Sequence, residues 1–205
     1  MKYTALLFLF VAALFSCKQN APAEEVVTET TEEVVVQKLG IVNDSTTVGW
    51  TAYKTTDKAP VKGTFKQFTL ENVNDAETPI DILNGASITV PMSSVFTKDT
   101  ARDATLRTFF FDKLAGDIKG TLTFEEGDAF LTLTLNGVEQ KFPVQYSISD
   151  DVFTLESVIQ LADYKALDAL KSLHKACKDL HMGADGVSKT WEEVAINGRV
   201  VFAYQ

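Results

Sequence analysis

The stretch Ile118–Leu161, IKGTLTFEEGDAFLTLTLNGVEQKFPVQYSISDDVFTLESVIQL, decides the fold. Ile118, Gly120, Leu122 and Phe124 alternate with polar or charged neighbours, the period of a strand with one buried face. Glu125-Glu126-Gly127-Asp128 turns the chain. Ala129, Leu131, Leu133 and Leu135 alternate next. Asn136-Gly137 is the strongest short hairpin signal, because both residues tolerate the positive φ of a type I′ turn. Val138, Phe142, Val144, Tyr146 and Ile148 return, and Ser149-Asp150-Asp151 turns again. Phe153, Leu155, Ser157, Ile159 and Leu161 complete a four-strand antiparallel meander.

The pattern continues on both sides. Val48, Trp50 and Ala52 alternate with Gly49, Thr51 and Tyr53. Val61, Gly63 and Phe65 start a second strand, whose apolar phase shifts to Phe68 and Leu70 as a bulge produces. Ala86–Val90 is a third. Glu193–Tyr204 reads as the last, with Val200 and Phe202 on one face and a bulge or kink at Asn197-Gly198. About eight strands with hairpin-length loops predict a mainly β fold, an antiparallel eight-stranded barrel, since closure removes exposed edges. A barrel of that size is filled by side chains or holds one small ligand, and periodicity does not decide between the two. A β-sandwich is the other arrangement the pattern allows.

Two helices interrupt the strands. Thr100 reads as an N-cap, with Asp103 three residues on. Asp103 and Arg107, one turn apart, are placed to pair. The segment Asp163–His181 reads as one longer helix, capped by Asp163 and stopped near Gly183. Its apolar stripe is Leu167, Leu170, Leu173, Cys177 and Leu180. Directly after the first helix stand Phe109, Phe110 and Phe111. Helical neighbours lie about 100° apart, so Phe109 and Phe111 cannot face the same partner if the helix continues. Either one ring packs on a core and another lines an internal cavity, or the helix is pinned into an ordinary core with no cavity.

The N-terminal region is read differently. Met1–Ser16 opens with Lys2 and runs apolar from Ala5 to Phe15, short of the roughly 20 residues a bilayer span needs and suited to a signal peptide. Leu14-Phe15-Ser16-Cys17 resembles a bacterial lipobox, which implies lipidation of Cys17. Lys18, rather than aspartate, at the next position favours the outer membrane. Residues 17–40 then form a lipidated Cys and a flexible, Glu-, Thr- and Val-rich tether without aromatics, and 41–205 one domain. With Cys17 lipidated, Cys177 has no partner, so no disulfide is expected. The formal charge of −9 argues against nucleic acid, which selects clustered Lys and Arg.

In these strands and in the aromatic triplet the chain resembles the YceI-like family of lipocalin-like, polyisoprenoid-binding domains. Lys62-Gly63-Thr64-Phe65 is similar to the family's early glycine-x-phenylalanine strand. Ser94 to Thr97, Arg102-Asp103, Leu106-Arg107 and Phe109-Phe110-Phe111-Asp112 resemble its central signature. Leu133 to Val138, with Pro143-Val144, resembles its hairpin. The family's signature His falls at Thr105, and the His-Ser pair before its first strand is Asp44-Ser45-Thr46 here. The resemblance implies a barrel whose elongated apolar cavity holds an isoprenoid or other lipid-like chain. Its expected wall is Trp50, Phe65, Leu106, Phe109, Phe110, Leu122 and Phe142. Arg102 or Arg107 would meet an anionic head group, or else pair with Asp103 or cap strand ends.

Other chemistries have less behind them. His174, Cys177 and His181 lie on one helix, but ligands seven residues apart are about 10 Å apart along its axis, too far to share an ion. Cys177 fits the apolar stripe. No nucleophile elbow, metalloprotease motif, redox Cys pair, phosphate loop or dinucleotide fingerprint occurs, so no enzyme, metal or cofactor is expected. Two function classes remain. One is a membrane-tethered binding protein that stores or ferries a lipid-like molecule in the cell envelope. The other is an envelope interaction protein with a filled barrel and a partner-docking helix, Trp191 serving the dock or lidding the barrel.

Overall fold

A computed structural model describes residues 37–205. The expected leader, Cys17 and nearly all of the expected tether lie outside the described residues. Eleven strands make one antiparallel sheet: β1 (Leu39–Ile41), β2 (Thr47–Lys54), β3 (Ala59–Phe65), β4 (Thr69–Glu71), β5 (Ser87–Val90), β6 (Val95–Phe96), β7 (Ile118–Glu125), β8 (Asp128–Leu135), β9 (Val138–Ser149), β10 (Val152–Gln160) and β11 (Glu193–Tyr204). Their spatial order is β4-β5-β7-β8-β9-β10-β11-β2-β3-β6, and β1 adds to the end of β11. The mainly β, antiparallel class is as the alternation predicts. The count rises from eight because the second expected strand is two, β3 and β4, and because short β1 and β6 join the sheet. β1 begins at Leu39, already 5% exposed, two residues before the expected domain start.

The phase shift after Phe65 is therefore not a bulge. It marks the exit of the chain from one region of the sheet and its entry at the far edge. Phe65 ends β3, next to the last strand in the order, and Thr69 starts β4, the first. Four residues span at most about 15 Å, whereas β3 and β4 would lie roughly 38 Å apart in a flat sheet at about 4.8 Å per strand. Connectivity alone obliges the sheet to curl until its ends meet. Lys66–Phe68 bridges them, held by Lys66 N–H donating to Ser94 O at 2.9 Å. Among the described residues no backbone ladder joins β4 to β6.

The hairpin turns carry the geometry the sequence calls for. Asn136 and Gly137 have φ of 54° and 69°, and Glu126 and Gly127 have 52° and 93°, both pairs suiting the right-handed twist of the flanking strands. Asn136 also fastens the hairpin tip. Its Oδ1 accepts from Ala115 N–H, and its Nδ2 donates to the carbonyls of Tyr164 and Lys165. Asn197-Gly198, expected as a kink, pairs without interruption to β10 on one side and β2 on the other.

Among the described residues three α-helices sit outside the ladder: α1 (Pro79–Leu83), α2 (Thr100–Phe109) and α3 (Leu167–Ala176). α1 was not read from the sequence, although Thr78-Pro79 carries a start signal: Thr78 Oγ1 accepts from Asp81 N–H, with Pro79 in the first turn. α2 is capped one residue earlier than expected, by Asp99, whose carboxylate accepts from Arg102 N–H at 3.0 Å. That bond holds the Asp99 carboxyl below its ordinary range. Asp103 does not pair with Arg107. It is buried, and its Oδ1 accepts from Thr97 N–H at 2.8 Å and Thr97 Oγ1 at 2.6 Å. The single helix expected over Asp163–His181 is three pieces: a tight turn at Leu161–Tyr164, α3, and a turn at Asp179–His181. Lys165, at φ 53°, breaks it. Asp163 caps nothing, and Leu180 leaves the stripe, 71% exposed.

Candidate functional site

Curling the sheet points every second side chain inward, and the inward side chains do not fill the middle. They leave a cavity of about 240 Å³ whose wall is almost wholly apolar. β2 contributes Val48, Trp50 and Ala52, β7 and β8 contribute a row of aliphatic side chains including Leu122, Leu131 and Leu133, and β10 adds Phe153, which is 0% exposed. The helices supply further wall. α2 and α3 pack on each other and present Leu106, Leu170 and Leu173, while α1 presents Leu83. Trp191 borders the cavity, its Nε1–H donating to Thr55 O at 2.8 Å and the Lys189 ammonium standing 3.5 Å above its ring.

Of the residues named from sequence, Trp50, Phe65, Leu106, Phe110 and Leu122 come together on this wall. Phe109, Phe142, Arg102 and Arg107 do not. Phe109 closes α2 on its outer side and is 38% exposed. The helix stops there: Phe110 has a non-helical φ of −124° and ψ of −67°. The chain then swings inward, so Phe110 and Phe111 both reach the cavity, edge-on to each other at 5.1 Å, with Phe111 edge-on to Phe65 at 5.8 Å. Phe111 was not among the expected wall residues because an uninterrupted helix would have carried it elsewhere.

Phe142 shares the inner face of β9 with Val144, yet it borders a second, shallow and half-polar hollow. The reason is a split in the sheet. β9 pairs with β8 over Val138–Val144 but with β10 only over Gln145–Ser149, so the first half of β9 and the end of β10 separate. Phe142 sits at that split. Arg102 is exposed with its guanidinium 3.5 Å from the Asp99 carboxylate, and Arg107 is half-buried outside the wall. Thr105, where the resemblance would put a His, donates back to Ala101 O within its own helix.

His174 and His181 do share a partner, Thr190, which borders the cavity. Their Nδ1 atoms lie 2.9 and 2.6 Å from its Oγ1. A hydroxyl has one hydrogen, so one imidazole accepts and the other donates, which fixes opposite tautomers. Burial first, then the neighbouring Lys54 and His174, push the His181 pKa down to about 4. Cys177 is buried, and burial pushes its thiol up, away from the thiolate that metal binding or redox chemistry uses. Among the described residues no cluster of three His, Cys, Asp or Glu is placed to hold a metal ion.

An antiparallel sheet curled around an apolar cavity, with no charged side chain on its wall, defines a lipocalin-like β protein. The family model described as YceI-like domain matches residues 40–202, and the chain belongs to that family. No curated protein matches it in sequence. Its fold is similar to the structure of a polyisoprenoid binding domain from Saccharophagus degradans implicated in plant cell wall breakdown, with a TM-score of 0.58 and 14% identity over 83% of this chain and 99% of that one. It is also similar to BcnA of Burkholderia cenocepacia, with a TM-score of 0.52 and 16% identity over 80% of this chain and 99% of that one. At such identities the likeness is one of fold.

Proposed function

We propose that this protein holds an isoprenoid or other lipid-like chain in its β cavity, and that a lipid on Cys17 tethers it in the cell envelope, at the outer membrane, where it stores or ferries that chain. The cavity carries the reading. An unfilled space of about 240 Å³ forgoes roughly 6 kcal/mol of packing at about 24 cal/mol per Å³, on the scale of a domain's whole net stability. A fold keeps such a space when something occupies it. An engineered cavity of about 150 Å³ lined by Leu, Ile and Phe stays dry and takes up benzene, and this wall has the same chemistry. Each CH₂ withdrawn from water into it gains about 0.8 kcal/mol. The likeness in fold supports the same reading, since one solved structure that this chain resembles is described as a polyisoprenoid binding domain.

Native mass spectrometry of the full chain tests the first half. The expected result is an added mass that organic solvent removes and that a prenyl chain restores. A protein that carries no such mass and takes up no prenyl chain overturns it. Fractionation tests the second half: Cys17→Ser is expected to move the protein from membranes to the soluble fraction, and unchanged membrane association counts against the tether.

A further inference from the structure

One group on the wall is not explained by an apolar chain. Trp50 is only 7% exposed, and its Nε1 is buried without a hydrogen bond to any protein group. A buried unpaired donor is costly, and a native structure keeps few of them. The ring has little freedom to escape. Trp50 stands opposite Gly63 on one side and Ile196 on the other. Its indole edge lies where a Gly63 side chain would be, with Cζ2 2.3 Å and Nε1 3.0 Å from that position.

The surroundings offer the donor nothing. Thr46 and Thr47 lie four and three residues before Trp50, and Thr190 sits opposite Lys54, four residues after it, so they are about 10–13 Å away along the chain. Asn197 pairs with Gly49, and Ser87 with Thr121, so both belong to the alternate face of the sheet. A trapped water needs two to four polar partners, and the residues directly beside Trp50 on the inner face, Gly63 and Ile196, have no polar side chain. No Lys, Arg or His borders the cavity, so a phosphate beside Trp50 would be a buried, unpaired charge.

Resting on the proposed function, we infer that the guest carries a neutral acceptor oxygen, a ketone or ester carbonyl, that accepts a hydrogen bond from Trp50 Nε1–H midway along the cavity. A charged head group, where a guest has one, lies outside the wall. Trp50 is thereby a residue that selects among prenyl chains, not merely a piece of apolar lining.

The test compares two probes on the full chain: farnesylacetone, an isoprenoid ketone, and squalene, a longer isoprenoid hydrocarbon of two farnesyl units without oxygen. Trp50→Phe keeps an aromatic ring and removes the N–H. It is expected to weaken farnesylacetone binding by about tenfold more than squalene binding. In the parent protein, the Trp50 indole N–H resonance, assigned with Trp191→Phe, is expected to move downfield with farnesylacetone and not with squalene. That measurement decides even where Trp50→Phe fails to fold. Equal loss for both probes, no loss for either, or an indole signal that farnesylacetone leaves in place overturns the inference while the proposed function stands. Failure of the parent to take up either probe overturns both.

Discussion

Gly63 has no side chain because Trp50 occupies its place. A methyl there would meet Cζ2 at 2.3 Å, and the ring would have to swing into the cavity. Gly63→Ala is therefore expected to cost about 1–3 kcal/mol, the range for overpacking, and to reduce uptake of a prenyl probe. Urea unfolding and probe titration read the two effects, and an unchanged midpoint would show that the ring moves freely. The aromatic triplet gives a sharper contrast. Phe110→Asp puts a carboxylate on the apolar wall and is expected to abolish uptake, whereas Phe109→Asp alters an exposed ring and is expected to leave uptake near parental. Circular dichroism checks that each variant folds, and a folded Phe110→Asp with parental uptake would remove that residue from the site. Strand residues such as Trp50, Phe65 and Leu122 were readable because period-two alternation fixes which way a side chain points. Phe111 was not, because its direction depends on where α2 stops, and Phe110 leaves the helix without any Gly or Pro to announce it.

Elements near the helical side depend on a few polar contacts. Asp103, not Arg107, secures the start of α2, through two hydrogen bonds to Thr97. The charge pair one turn apart looked sufficient from sequence. Burial of Asp103 required partners on the preceding segment, which spacing along a helix does not show. The turn Asp179–His181 is fastened likewise, through Thr190, and that fastening depends on pH. His181 faces His174 from α3, Lys54 from β2 and the Thr190 hydroxyl, and Lys54 Nζ also donates to Leu180 O. Its pKa falls from the ordinary 6.5 to about 4 in the fold, so between those values the unfolded chain binds the extra proton. Stability from this site is complete above about pH 6.5 and is lost as pH falls toward 4. His181→Asn, compared with the parent in thermal melts across that window, is expected to flatten the slope. Parallel slopes would mean that the imidazole titrates normally.

For the whole molecule, the decisive feature is the meeting of the two ends of the sheet, which Lys66–Phe68 compels. The alternation forecast a β wall with one apolar face, but a face says nothing about whether the space it encloses is full. That depends on summed side-chain volumes across elements far apart in sequence, such as Leu83 of α1, Ile88 of β5 and Val200 of β11. A functional cavity has a signature at this scale, because stability and uptake should move in opposite directions when it is filled. Ala52 borders the cavity from the middle of β2. Ala52→Leu adds apolar volume where packing is missing. It is expected to raise stability, by about 1 kcal/mol at most given the small volume added, while weakening prenyl uptake several-fold. The same substitution in a packed interior would lower stability by overpacking. Denaturant midpoints with and without a prenyl probe measure both quantities, since a bound guest stabilises the folded state by mass action. A destabilised Ala52→Leu that binds the probe as the parent does would mean that the interior is already occupied by its own side chains.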